Sequence, residues 1–167
     1  MANQFDDVTK DEETGFGVRQ SFLETLARQI AVAKRSDTPL SFILFELGNL
    51  YKDSKTNDPA LARCMIRDVA EIVRAKDYDG VLREDGKFYL SLPYTDEQKS
   101  QDESVALKQK LDELSAQRYQ GLKYGMAVRT LKPTEITETP EQLLQSLDML
   151  VCKSFETEQI VRYSANP

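Results

Sequence analysis

Three acidic residues stand where a fold could use them for chemistry. Glu46 closes the apolar run SFILFEL, and Glu84 and Asp85 open the turn in REDGKFYLSLP, residues 83–93. Carboxylates at strand ends and turn tips can hold divalent metals or move protons. The remaining inventory restricts that chemistry. The chain of 167 residues has no histidine. That removes Ser–His and Cys–His nucleophiles, the commonest zinc ligand and the usual base near neutral pH. Lys87 occupies the turn where a further carboxylate would be wanted. An enzyme built on Glu46, Glu84 and Asp85 alone therefore lacks a partner acid or base. A plain structural account fits the same residues. Asp85-Gly86 is a favoured two-residue hairpin turn, because both positions tolerate positive φ. Lys87 reads as a solvated edge charge, and Glu46 as a strand-end acid.

The bulk properties narrow the function classes further. The length suits one domain with one core. A composition of 40% hydrophobic and 30% charged residues is that of ordinary soluble proteins. The net charge of -6, with no basic run, argues against nucleic acid or an anionic membrane as the main partner. No run approaches the length of a membrane span, and the acidic start MANQFDDVTKDEE does not read as a signal peptide. The expected compartment is the cytoplasm. Cys64 and Cys152 fall inside apolar helical patterns and read as buried, reduced core thiols.

The elements that must position these residues follow from periodicity and punctuation. Residues 1–13 are polar and acidic and read as a flexible lead-in. Phe22, Leu26, Ile30 and Ala33 share one face of a helix over 18–35. SFILFEL, between Pro39 and Gly48, reads as a buried central strand. Residues 49–59 are polar and read as a loop. Asp58-Pro59 starts a helix to about 76, with Leu61, Met65, Val69, Ile72 and Val73 facing inward. The hairpin follows, and then a helix to about 116 through Leu107, Leu111 and Leu114. LKYGMAVRT, residues 122–130, reads as a strand. Thr139-Pro140-Glu141-Gln142 is close to a capping box and opens a last helix, with QIVRY as a final short strand. Strands alternating with helices, plus one hairpin, imply an α/β domain over 14–163 with a mixed sheet. Residues 164–167 read as a tail.

In order and spacing, these landmarks resemble the GGDEF domain of diguanylate cyclases. Asp11-Glu12-Glu13-Thr14-Gly15-Phe16, with Arg19 and Phe22, is similar to the family's opening D-x-L-T-G-L-x-N-R-R-x-F. SFILFELGNLYK stands at its strand ending D-x-D-x-F-K, and REDGKFYLSLP at its signature turn followed by F-x-x-L-L-P. YGMAV is similar to S-I-G-V-A, and TPEQLLQSLDMLV to T-x-x-E-L-L-x-x-A-D-x-A-L-Y. The resemblance implies a palm-like nucleotidyl-cyclase fold: a central mixed five-stranded sheet flanked by helices. It also implies the family's activity, condensation of GTP to cyclic di-GMP with divalent metals between domains that meet face to face.

Residue by residue, that chemistry is not carried over. The first metal-binding Asp falls on Glu46 and the second on Gly48. Magnesium tolerates little departure from octahedral geometry, so the longer Glu46 side chain is not equivalent. The guanine-binding Asn falls on Ser54, which lacks the paired donor and acceptor of an amide. Anchored on Phe88, the signature becomes Glu84-Asp85-Gly86-Lys87-Phe88, with Gly86 at the metal-binding acid and Lys87 beside it; anchored instead on Arg83, the turn is one residue short, and in either register no carboxylate stands where the metal needs it. The phosphate-binding Lys falls on Phe155, a nearby Arg on Gln159, and the Asn of the opening motif on Val18. The family's product-binding R-x-x-D becomes Lys76 with Asp79, and Lys lacks the planar fork of Arg. The expectation is a catalytically inactive domain with no catalytic residues, metal or cofactor. It should act through a protein partner, or through a second copy of itself in a homodimer. The alternative is a sensor that binds GTP or cyclic di-GMP without turning it over.

Overall fold

A computed structural model describes residues 10–163. The lead-in before Lys10 and the tail 164–167 lie outside the described residues. Helix α1 (Arg19–Ser36) leads into strand β1 (Leu40–Leu47), then α2 (Asn49–Asn57) and α3 (Pro59–Arg74). The hairpin β2 (Gly80–Glu84) and β3 (Lys87–Pro93) precedes α4 (Glu97–Gln117) and β4 (Tyr124–Leu131). A single 3-10 turn, Pro133–Glu135, connects to α5 (Pro140–Thr157) and the short β5 (Val161–Arg162). The five strands form one sheet in the order β2-β3-β1-β4-β5. Its pairs are antiparallel except β4 with β5.

Strand β1 is the axis of this sheet. It pairs along nearly its whole length with β3, from Leu40↔Pro93 to Glu46↔Lys87, and with β4, from Leu40↔Leu131 to Leu47↔Tyr124. Successive side chains point to opposite faces of a strand, so its two residue sets serve two cores. Ile43, Phe45 and Leu47 join Tyr51 of α2, Met65, Val69 and Val73 of α3, and Leu107 and Leu111 of α4. Phe42 and Leu44 join Phe22, Leu26 and Ile30 of α1 and Leu143, Leu144, Leu147 and Val151 of α5. Burial on both faces explains the unbroken apolar run Phe42–Phe45 within SFILFEL.

The helix starts follow local chemistry. Asp58 accepts a hydrogen bond from the Leu61 N–H at 3.2 Å, with Pro59 in the first turn. Thr139 and Gln142 cap each other reciprocally, at 3.2 and 2.9 Å, in a complete capping box. Two expectations are corrected. The polar segment read as a loop forms α2 instead. Tertiary contacts stabilise it, because Tyr51 and Ser54 are buried and the Gly48 N–H donates to the Lys123 carbonyl at 2.7 Å. Cys64 and Cys152 are exposed free thiols, not core residues. Each stands one position before or after a core residue, Met65 and Val151, and helical rotation turns it outward.

Arg129 on β4 is a charged side chain placed among the buried residues, 6% exposed. Its Nη1 donates to Glu138 at 2.7 Å and to the Ser146 hydroxyl at 2.8 Å. Its Nη2 donates to the other Glu138 oxygen, and the Tyr163 ring stacks on the guanidinium at 4.0 Å. The hydrogen bonds from Arg129 hold the Glu138 carboxyl below the usual carboxylate range, against the opposing effect of burial. A depressed folded-state pKa adds stability that is full above the unfolded value and lost as pH falls through the folded one. Stability should therefore decline below about pH 4.5. Glu138→Gln should cost about 2 kcal/mol at neutral pH and flatten that acid decline, as measured by urea unfolding across pH.

Candidate functional site

The tip of the β2–β3 hairpin is a crossroads of charged side chains. Glu84 pairs with Lys87 in the sheet register, and Asp85-Gly86 forms the two-residue turn. Only Asp85 takes a positive φ, 54°. The expectation of positive φ at both positions is therefore corrected. Gly86 is required for a different reason: a Cβ there would lie 2.9 Å from the ring of Tyr51. The Gly86 carbonyl accepts from the Leu47 N–H at 2.9 Å, tying the turn to the end of β1.

Every acid at this tip is already engaged. Asp85 accepts from the Tyr51 hydroxyl at 2.8 Å and from Lys55 Nζ at 2.6 Å. Partial burial alone would raise its pKa. The hydrogen bonds from Lys55 and Tyr51, with the charges of Lys55 and Arg83, hold it below the usual range. Burial, then the bond to Asp85, pushes the Tyr51 hydroxyl up to about 12, so it stays a donor at neutral pH. Arg83 donates from Nε to the Asp85 carbonyl at 2.6 Å, and its Nη1 lies 3.3 Å from Asp11 and 3.1 Å from Glu13. Asp11 and Glu13 belong to a closed turn in which the Gly15 N–H donates to the Asp11 carbonyl at 2.7 Å. Glu84 is held bidentately by Arg19 of α1, with Nε at 2.9 Å. Lys87, expected to be a solvated edge charge, reaches Asp148 of α5 at 3.2 Å, and the Tyr89 hydroxyl donates to the same oxygen at 2.6 Å.

The end of β1 is closed by packing. Glu46 is 14% exposed at its side chain and lies 3.7 Å from Lys52. Its cross-strand neighbours are Lys87 and Gly125. Phe155 of α5 lies across two glycines. A Cβ on Gly125 would stand 2.9 Å from its ring, and one on Gly48 would stand 3.3 Å from it and 2.9 Å from the Lys123 carbonyl. Lys52 sits over the same ring, 5.3 Å from its centroid. Ser54 is buried and donates to the Leu50 carbonyl one turn back at 2.6 Å.

The remaining candidate pair is separated. Lys76 lies 3.8 Å from Glu103 of α4, which also accepts from the Tyr78 hydroxyl at 2.7 Å. Asp79 is exposed and borders a different cleft, beside Arg28 of α1. The structure thus gathers Glu46, Gly48, Glu84, Asp85, Gly86, Lys87 and Phe155 around one sheet end, and leaves Ser54, Lys76 and Asp79 outside that cluster.

Several participants were not singled out by sequence reasoning. Tyr51, Lys52 and Lys55 lie in the segment read as a loop. Arg19 and Asp148 were visible only as parts of longer motifs. The resulting arrangement is a set of neutralised pairs: Glu46 with Lys52, Glu84 with Arg19, Asp85 with Lys55, and Asp148 with Lys87. Among the described residues, no cluster of three or more Asp, Glu, Cys or His is placed to hold a metal ion. Of the acids gathered here, Glu46 stands beside Lys52 and Asp85 is bound by Tyr51 and Lys55.

The packing of Phe155 gives a direct test. Phe155→Lys restores the residue type that the resemblance assigns to this position but removes the ring between Gly48 and Gly125. It should destabilise the domain by roughly 1–3 kcal/mol in urea unfolding and should confer no measurable GTP affinity.

Comparison with known proteins agrees with this architecture. No family model and no curated protein sequence matches the chain. Solved structures do. The GGDEF domain of DgcB from Caulobacter crescentus, in complex with c-di-GMP, superposes with a TM-score of 0.77 at 16% identity, covering 97% of this chain and 96% of that one. The FimX GGDEF domain from Pseudomonas aeruginosa superposes at 0.74 with 14% identity, covering 93% and 99%. The diguanylate cyclase SiaD in complex with its activator SiaC, also from Pseudomonas aeruginosa, superposes at 0.74 with 17% identity, covering 92% and 61%. This chain has the GGDEF-domain fold, with a mixed five-stranded sheet between two helical layers.

Proposed function

We propose that this chain is a catalytically inactive GGDEF-like domain that acts as a regulatory protein-interaction module in cyclic di-GMP signalling in the bacterial cytoplasm. The observation that carries the reading is the seat of Phe155 across Gly48 and Gly125. Phosphoryl transfer depends on metal ions held by carboxylates and on cations that neutralise the phosphates. Here the end of β1 offers an aromatic ring, a glycine and one acid that stands beside Lys52. The turn offers Asp85, whose carboxylate is bound by Tyr51 and Lys55. A metal would have to break those bonds and displace Lys55 before it could bind.

The scaffold around these substitutions is well maintained. Ion pairs from α1, α2 and α5 tie the hairpin to its neighbours. Met149, 75% exposed on α5, is a large apolar side chain left open to a partner. The fold is also compatible with protein contacts, since SiaD is solved with its activator SiaC. Among the described residues, no helix is long and apolar enough to cross a membrane.

Calorimetric titration with GTP and magnesium or manganese, and separately with cyclic di-GMP, should give no binding heat, and prolonged incubation should give no cyclic di-GMP. Micromolar affinity for either nucleotide would overturn the interaction-module reading in favour of a sensor, and product formation would overturn inactivity itself. A partner cross-linked to the wild-type chain in its native host should be lost with Met149→Glu, while the melting temperature stays within about 2 °C.

A further inference from the structure

The outer face of α5 carries a ridge of exposed side chains. Glu141, Gln145, Met149 and Lys153 are all exposed and follow one another at four-residue spacing. Side chains at that spacing line up along the surface of a helix. The ridge has an acid at one end and a base at the other, separated by a rise of about 18 Å. Between them stands Met149, at 75% the most exposed large apolar side chain among the described residues.

Two observations mark this ridge as a contact. Among the described residues, neither Glu141 nor Lys153 enters an ion pair, whereas the acids around the hairpin tip are paired within the domain. Their places suit the helix dipole, an acid near the start and a base near the end. The dipole does not account for the apolar side chain set between them. The order of the charges then selects the partner. A ridge that runs acid, apolar, base is complementary to its own copy laid antiparallel. Glu141 meets the partner's Lys153, Lys153 meets the partner's Glu141, and Met149 packs on the stem of the partner's Gln145. A copy laid parallel sets like charges against each other. One two-fold axis generates both ion pairs, as an isologous contact requires. Interdigitated four-residue ridges are also the commonest helix packing, with axes about 8–10 Å apart. The net charge of -6 opposes self-association in general, so two copies meet best on a face that pairs opposite charges.

We propose that this ridge of α5 docks a second copy of the chain, in an antiparallel two-fold dimer closed by two Glu141–Lys153 ion pairs around Met149. The inference rests on the interaction-module reading, of which it names the partner. One helix per copy makes a small contact, which places the dimer in the weak, transient class.

The test is sedimentation of the full-length chain, without nucleotide and at low salt. At concentrations up to about 1 mM the average mass should rise toward twice the monomer value, with a dissociation constant on the order of 100 µM. Glu141→Lys and Lys153→Glu should each weaken the dimer about ten-fold, because each reversal sets two like-charge pairs across the axis. The double variant should regain the wild-type affinity. An equimolar mixture of the two single variants should associate as tightly as the wild type, since each then supplies the charges that the other lacks. Melting temperatures should stay within about 3 °C of the wild type throughout. The proposal is overturned if the chain stays monomeric at the highest concentration, if the reversals leave association unchanged, or if the double variant is no tighter than the single ones. A monomer whose cross-link in the native host is still lost with Met149→Glu overturns the second copy as partner and leaves the interaction-module reading intact. Nucleotide binding in the calorimetric titration overturns that reading alone, because the dimer is measured without nucleotide.

Discussion

The fold depends on the double burial of β1. Its seven consecutive residues from Leu40 to Glu46 are hydrogen-bonded to β3 on one side and β4 on the other, and its side chains alternate between two cores. Burial of a large apolar side chain is worth about 1.5–3 kcal/mol, and Phe42, Ile43, Leu44 and Phe45 are all fully buried. This constraint fixes everything at the strand's end. Once β1 is registered against β3 and β4, Glu46 must lie between Lys87 and Gly125. Gly48 must meet the Lys123 carbonyl, and the hairpin tip must stand over α2.

Side chains at that end fit one another physically. A phenylalanine at position 155 requires that Gly125 and Gly48 have no side chain in its way. A tyrosine at position 51 requires the same of Gly86 and places its hydroxyl on Asp85. Each acid that remains has a lysine or arginine within ion-pair reach. An unpaired carboxylate at a partly buried strand end would be costly, and pairing relieves that cost. The sheet end is therefore a self-contained structure, with apolar packing beneath and ion pairs above.

Much of the fold could be read along the chain. Helix α1 showed its stripe of Phe22, Leu26, Ile30 and Ala33, all of which are buried. The caps at Asp58 and Thr139 formed as their local chemistry indicates. Strand β1 announced itself because double burial puts four apolar residues in a row, Phe42 to Phe45, with only Ser41 and Glu46 as polar neighbours. Helix α2 was illegible. NLYKDSKTN carries only Leu50 and Tyr51 as sizeable apolar residues, and its helical state comes from contacts with distant segments. The cysteines misled for a related reason: one helical step of about 100° separates a core position from an exposed one, and composition does not resolve it.

The site divides in the same way. Residue identity alone determined that no histidine base is present and that Gly48 and Phe155 offer neither an acid nor a cation, because those are properties of side-chain chemistry. The address of a turn at Asp85-Gly86 was equally local, since two residues suffice to reverse a strand. What the tertiary structure decided is where each remaining charge is spent. Arg19 comes to Glu84 across 65 residues, Asp148 to Lys87 across 61, and Lys55 to Asp85 across 30. Ion pairing at such separations depends on strand register and helix docking, which set distances in space that no spacing along the chain encodes.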